Sequence, residues 1–505
     1  MDPTTRGLII GFSALLISVS FLIGLWGRRR MTNAQSYFGA TGLFGPLTIS
    51  LSSMAAVASA FALVGVPGLI YLSGNTIVLW MLGSPAFALG YMMLGKKVRA
   101  MAEVAPIATL GDVSDLRFNN HRGIKALVSV ILLLGCVAYL ASQIKAGADL
   151  FAHLMGWSPW TAALIIFGIL GAYTVISGEV GGILTQAFQG LVMVVAGLIM
   201  IVAFFSMTGG PGAVIAAVSS AGTVTADGVS KTFSPDLLNA WGTLPGGVAL
   251  AWVLIPALGV ICQPQVLTRM YALKDPRDLS RLSLYATIAH MVVALMVVCV
   301  GMGALYLVSS GLVPPLDSPD RAIFVFADYA GLHVQLFVYA AVLAAAMSTS
   351  SLFLSLSSGI LSRDLPSALG LRMSIERQMT VSRITVAVLG FGAIWFAMDS
   401  GRLVAILGAF GFGTLMSATM PVFILGLLWK RASSQGVFAG LVVSLVFNIV
   451  CLVLDKLIGF RWPGGVPWYV LVVAASSVVT IAVSLVTHGA TGDELDPRVG
   501  AVIDL

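Results

Sequence analysis

Apolar stretches long enough to cross a bilayer recur from one end of the chain to the other, separated by short polar breaks, and this constrains the fold more than any other feature. A spanning helix needs about 20 mostly apolar residues. Such stretches fall at approximately 7–26, 44–73, 76–95, 126–147, 158–177, 182–207, 243–262, 284–309, 334–358, 381–399, 402–427, 436–455 and 467–487, about thirteen in all. Of the residues, 58% are hydrophobic and only 10% are charged. A soluble domain carries roughly 25% charged residues, so the solvent for this surface is lipid. The expected fold class is an all-α membrane protein, without a nucleic-acid partner. The formal charge of +6 belongs to loops, as the positive-inside rule requires. Cys136, Cys262, Cys299 and Cys451 lie in or beside apolar stretches, without metal-ligand spacing, and read as packing residues. The first stretch, Gly7 to Trp26, is followed rather than preceded by Arg28, Arg29 and Arg30. It is a retained helix, not a signal peptide.

Thirteen spans put the termini on opposite faces. With the N-terminus outside and the C-terminus cytoplasmic, twenty Lys and Arg fall inside, and seven outside: 6, 145, 231, 321, 402, 456 and 461. Under that order the chain is one domain, 1–505: an N-terminal helix in 1–40, five spans in 44–207, five of opposite sense in 243–430, peripheral helices in 436–487 and a cytoplasmic tail in 488–505. Two five-helix sets that begin on opposite faces make an inverted repeat, with a binding site expected where the first helix of each is interrupted. Gly65, Pro67 and Gly68 mark the expected break in the second span, and Gly246, Gly247, Pro256 and Gly259 that in the seventh. Residues 208–240, rich in Gly, Ala and Ser, are expected to form an external re-entrant or amphipathic segment. Residues 263–283 are basic and expected inside.

Five segments, in order, resemble the sodium/solute symporter family of bacterial proline and pantothenate permeases and sodium–glucose carriers. They are GPLTISLSSMAAVASAFALVGVPGLIYLSG from residue 45, TLGDVSDLRF from 109, QPQVLTRMYALKDPRDLSR from 263, AAAMSTSSLFLSLSSGILSRDL from 344 and PVFILGLLWKRASSQGVFAGLVVS from 421. Gln265 stands where the family usually has histidine. The resemblance implies a LeuT-like core in the inner (plasma) membrane and a secondary transporter that moves a small polar solute, an organic anion or amino acid, into the cell with sodium. It implies Na+ as coupling ion, no other cofactor, and a sodium site formed by Ala55 and Ala58 through backbone carbonyls with Ala345, Ser348 and Thr349. Residues 345, 348 and 349 share one helix face, and a hard cation wants several oxygens. Val57 and Gln186 stand where many relatives carry acidic residues, which leaves ion identity and stoichiometry open. Gln189 matches the family's glutamine. Glu179 and His290 are the nearest titratable alternatives for a proton, and read as structural.

Polar and aromatic side chains inside spans are candidate solute contacts. Gln143 resembles the family's glutamine near the solute path. Lys145 either attracts a solute carboxylate or reaches for the headgroups. Trp252 either stacks on the solute or packs, and Ser59 and Phe61 complete a pocket wall. Pro256 and Val260 occupy places that hold an aromatic pair in proline carriers, which disfavours proline. No catalytic residues are assigned: the five histidines are dispersed, so an intramembrane enzyme is disfavoured. A sensor would need a signalling module, and a channel a filter signature; the sequence carries neither.

Overall fold

The computed structural model describes residues 3–29, 40–460, 462–487 and 495–505; Arg30, Arg461, His488 and the start of the tail lie outside them. Long apolar helices dominate because lipid offers backbone groups no hydrogen-bond partner, so each must bond within its own segment. In chain order they are α1 (Pro3–Arg28), α2 (Pro46–Val57), α3 (Phe61–Ser73), α4 (Gly83–Val104), α5 (Leu110–Arg117), α6 (Arg122–Met155), α7 (Pro159–Val175), α8 (Ser177–Thr208), α9 (Pro211–Ser220), α10 (Gly246–Cys262), α11 (Pro264–Ala272), α12 (Leu279–Ser309), α13 (Ala322–Ala330), α14 (Leu332–Ala368), α15 (Ile375–Asp399), α16 (Val404–Leu428), α17 (Ser434–Ile458), α18 (Trp468–Thr487) and α19 (Pro497–Asp504). Among the described residues eleven helices are long and apolar enough to cross a membrane, and the bent pair α2–α3 makes a twelfth. The fifth expected span, α7, is shorter and runs into α8 through a kink at Gly178 (φ 55°, ψ −168°), a conformation open to glycine.

α14 is the centre of the bundle. Its most apolar window is 89% buried, against 28% for α1 and α18, which present the rest to lipid. It packs on α2, α6, α8 and α15, while α12 packs on α2, α4 and α8, and α17 and α18 pair at the periphery.

The breaks fall elsewhere than expected. The second span bends by 54° after Val57, not at Gly65, Pro67 and Gly68. A wide π-type turn over Phe61–Gly65 accommodates the ring of Pro67 without ending the helix. Gly65 instead allows close approach: a Cβ there would lie 2.7 Å from the Ala405 backbone nitrogen. The seventh span contains Pro256 within α10 and breaks at Gln263 (ψ 140°), because Pro264 drives the preceding residue to extended geometry.

One end of the bundle gathers the basic loops. Arg99 donates to Leu273 O (2.8 Å), Arg117 to Ala432 O (3.0 Å), Lys97 to Ile503 O (2.6 Å) and Lys125 to Asp115 (2.6 Å). Thr109 caps α5 in a reciprocal box with Asp112. At the other end, 208–240 is not a re-entrant segment. It forms α9 and a two-stranded hairpin, β1 (Thr223–Ala226) and β2 (Val229–Thr232), pairing Thr223 with Thr232. Asp227-Gly228, both at positive φ, makes the tight turn, and Lys231 donates to Leu72 O (3.1 Å) at the end of α3.

Candidate functional site

The bend between α2 and α3 frees two carbonyls. In a continuous helix Ala55 O would accept from Ser59 N, and Ala56 O from Ala60 N. Ala58 leaves helical geometry (φ −74°, ψ 65°), Ser59 N turns to Val57 O (2.8 Å) and Ala60 N to Gln143 Oε1 (2.9 Å). The stripped carbonyls face α14. Ser348 Oγ donates to Ala55 O (2.8 Å) and lies 3.1 Å from Ala345 O, and Thr349 Oγ1 donates to Ala56 O (3.2 Å). All of these residues are buried. The structure thus brings together Ala55, Ala345, Ser348 and Thr349. Ala58 is the turning point, and the carbonyl opposite Thr349 is that of Ala56. Tight α2–α8 packing holds this geometry: a Cβ on Gly190 would meet Leu51 O at 2.5 Å.

Beyond the bend lies a buried aromatic cluster. Phe61 contacts Trp80, Tyr139 and Trp252 at centroid distances of 5.1, 6.1 and 6.4 Å, and Trp80 lies 6.3 Å from Trp252. Ser59 Oγ is hydrogen-bonded to Tyr139 OH (3.0 Å). Gln143, besides accepting from Ala60 N, donates to Ser142 Oγ (2.8 Å). Ser59, Phe61, Gln143 and Trp252 therefore converge, together with Tyr139 and Trp80, which sequence reasoning missed. Tyr139 was within reach of it, one helical turn before Gln143 on the same face.

Lys145 belongs to a different cluster. Its ammonium sits 2.7 Å from Asp149 and 3.7 Å from Asp320, so it neither reaches freely for headgroups nor offers an unpaired charge. Asp320, in the turn before α13, accepts from Val404 N (3.0 Å), and burial pushes its carboxyl up to about 6. Toward the basic end, Arg269 of α11 was also missed. Its guanidinium donates to Glu179 Oε1 (2.6 Å), Gln186 Oε1 (2.6 Å) and Ser52 Oγ (3.1 Å). His290 is buried and hydrogen-bonded to Ser84 (2.9 Å). Among the described residues no His/Cys/Asp/Glu group could hold a metal ion; the oxygens at the α2 bend suit a weakly bound, hard monovalent ion instead.

The chain matches the sodium:solute symporter family over residues 37–444. It is 26% identical over 442 residues to the high-affinity proline transporter PutP of Bacillus subtilis, covering 85% of this chain and 89% of the relative. It is 27% identical over 470 residues to the sodium/pantothenate symporter of Escherichia coli, covering 88% and 92%. Among solved structures, a Na+-coupled sialic acid symporter in a substrate-bound outward-open state aligns with a TM-score of 0.74 at 17% identity, covering 95% of this chain and 98% of that one. Mhp1, a nucleobase-cation-symport-1 family transporter, aligns at 0.54 with 13% identity, covering 92% and 99%. With five motifs in order, a broken helix facing a hydroxyl pair and a match over most of its length, the chain belongs to the sodium:solute symporter family and is a multi-span secondary transporter coupled to sodium.

Proposed function

We propose that this carrier moves one sodium ion per cycle together with a small, uncharged or zwitterionic solute, an amino acid fitting best, into the cell. The observation that carries the reading is the pair of carbonyls, Ala55 and Ala56, stripped of their helical donors and met by the hydroxyls of Ser348 and Thr349. Sodium would take these oxygens with those of Ala345 and Ala58, each hydroxyl exchanging a carbonyl partner for the ion. The hydroxyls need only turn, so binding demands little rearrangement. Ser59, Phe61, Gln143 and Trp252 would hold the solute, with Tyr139 and Trp80 extending the wall. The aromatic faces favour a solute with an apolar side. An organic anion is disfavoured because Lys145, the candidate counter-charge, is already matched by Asp149 and Asp320.

In the proposed orientation the basic end is cytoplasmic, the N-terminus lies outside and the chain crosses thirteen times, ten of them in two five-helix repeats, 44–207 and 243–430. Cysteines at Ser309 and Ser280 should then react with an impermeant thiol reagent from outside and from inside, respectively. Uptake into proteoliposomes decides the function. An inward sodium gradient should drive accumulation of a labelled amino acid from a panel, and a proton gradient alone should not. Equal accumulation without sodium would transfer the reading to a proton-driven carrier of the same fold.

A further inference from the structure

One helical turn beyond the sodium oxygens, toward the basic end, polar groups from α2, α8 and α14 gather around a single guanidinium on α11. Ser52 precedes Ala55 by three residues on α2, and Ser351 follows Ser348 by three on α14, so this layer stacks directly on the ion face. Arg269, fully buried, fills it. Its Nη2 donates to Gln186 Oε1 (2.6 Å), Gln186 Nε2 donates to Ser351 Oγ (3.1 Å), and its Nη1 donates to Glu179 Oε1 (2.6 Å). The second Glu179 oxygen accepts from Ser355 Oγ (3.0 Å). On the far side of the Glu179 pair lies a small cavity of about 20 Å³, lined by Ala108, Thr109, Thr268, Tyr271 and Ser355. Glu179 itself lines that cavity.

We infer that Arg269, clamped by Glu179 and Gln186, is the barrier between the sodium site and the basic end, and that sodium passes only when the clamp releases. The inference rests on the sodium reading above. The fully buried guanidinium, bonded to Ser52, Gln186 and Glu179, occupies the space next to the ion face on α2 and α14 and leaves a cation no room to pass. The clamp is strong because the guanidinium meets a carboxylate oxygen and an amide oxygen at 2.6 Å each, in charge-assisted hydrogen bonds. α8 bears Glu179 just after the Gly178 kink, where the backbone departs from helical geometry. Glu179 is thus a positioning residue, acting through Arg269 on the rate at which the path opens.

The test places a reporter in the cavity, as Ala108→Cys, and follows its alkylation by a water-soluble thiol reagent in the purified, detergent-solubilised carrier. The four native cysteines are buried, so the background is low. In the otherwise wild-type carrier alkylation should be slow and slower still with sodium. Glu179→Gln keeps an acceptor oxygen but removes the charge, and should speed alkylation about tenfold. Glu179→Asp should fall between the two. Ser355→Ala, which removes only the hydroxyl on the second carboxylate oxygen, should raise the rate a few-fold, and decides the matter if Glu179→Gln does not fold. Unchanged rates in folded Glu179→Gln, or in Ser355→Ala where that variant must stand in, overturn the barrier. The two readings fail separately. If sodium has no effect on the wild-type rate while Glu179→Gln still accelerates it, the ion assignment falls and the barrier stands. If sodium slows the wild-type rate and Glu179→Gln leaves it unchanged, the barrier falls alone.

Discussion

Two ion-pair clusters, Lys145 with Asp149 and Asp320 and Arg269 with Glu179, differ chiefly in how much water reaches them. At the hairpin end Lys145 and Asp149 keep 20% and 27% of their side-chain surface exposed, and a single ammonium faces two carboxylates. At the basic end Arg269 is 0% and Glu179 13% exposed, one charge against one. Solvent screens Lys145 and Asp149, and the buried Asp320 can take up a proton instead of standing as a stranded charge, so losing the ammonium there is tolerated. In the dry cluster the remaining charge has nowhere to turn, so the pair is all-or-nothing. The same chemistry therefore makes a yielding contact in one cluster and a rigid one in the other.

The largest expected effect breaks the dry cluster. Arg269→Leu leaves Glu179, mostly buried, without its cation, and should cost about 3 kcal/mol, seen as a large fall in the thermal midpoint of the purified protein. Replacing both partners, Arg269→Leu with Glu179→Leu, should recover most of that loss, because no charge remains stranded. A single variant as stable as wild type would show that the two clusters do not differ as described.

At the wetter cluster Lys145→Gln should cost only about 1 kcal/mol or less. Solute affinity should stay at the wild-type value, since the ammonium is already committed to Asp149 and Asp320. A substantial loss of affinity in that well-folded variant would return Lys145 to the solute site.

The smallest effect is on pH dependence. The Asp320 carboxyl is raised by burial to about 6 from its ordinary 3.8. Between those values the native state holds a proton that the unfolded chain has lost, so stability is greatest at the acidic end. It should decline as pH rises through about 6 and then level off. Asp320→Asn should flatten that slope in thermal unfolding measured across the range, and an unaltered slope would assign it to another group.

Much of this architecture was legible in the residues. Apolar runs marked the spans because lipid leaves a helix no alternative, and the Ser348-Thr349 pair was marked by its match to the symporter motif, not by polarity, since Ser350, Ser351 and Ser355 follow on the same helix. The position of the bend was not legible. Gly65, Pro67 and Gly68 look like breakers, yet a wide turn absorbs the proline and the glycines serve contact with Ala405 and Pro319. The true bend lies at Ala58-Ser59, among small residues without helix-breaking character, and persists because Gln143, Ser348 and Thr349 take up the freed backbone groups from other helices. Arg269 was hidden for a related reason. It lies in a basic stretch that reads as a loop, and its partner Glu179 is 90 residues away. The hairpin carried a signal that went unused, alternating residues on either side of Asp227-Gly228.

The sodium site itself is tested most directly by the half-saturating sodium concentration for solute binding, in the wild-type carrier and in Ser348→Ala combined with Thr349→Ala. Each lost hydroxyl costs on the order of 1–3 kcal/mol where water does not substitute. The double variant should therefore need at least about tenfold more sodium, with solute binding at saturating sodium much less affected. The two losses need not add, because both hydroxyls serve one ion. A double variant with wild-type sodium dependence would contradict the site, and a wild-type carrier indifferent to sodium would contradict the coupling.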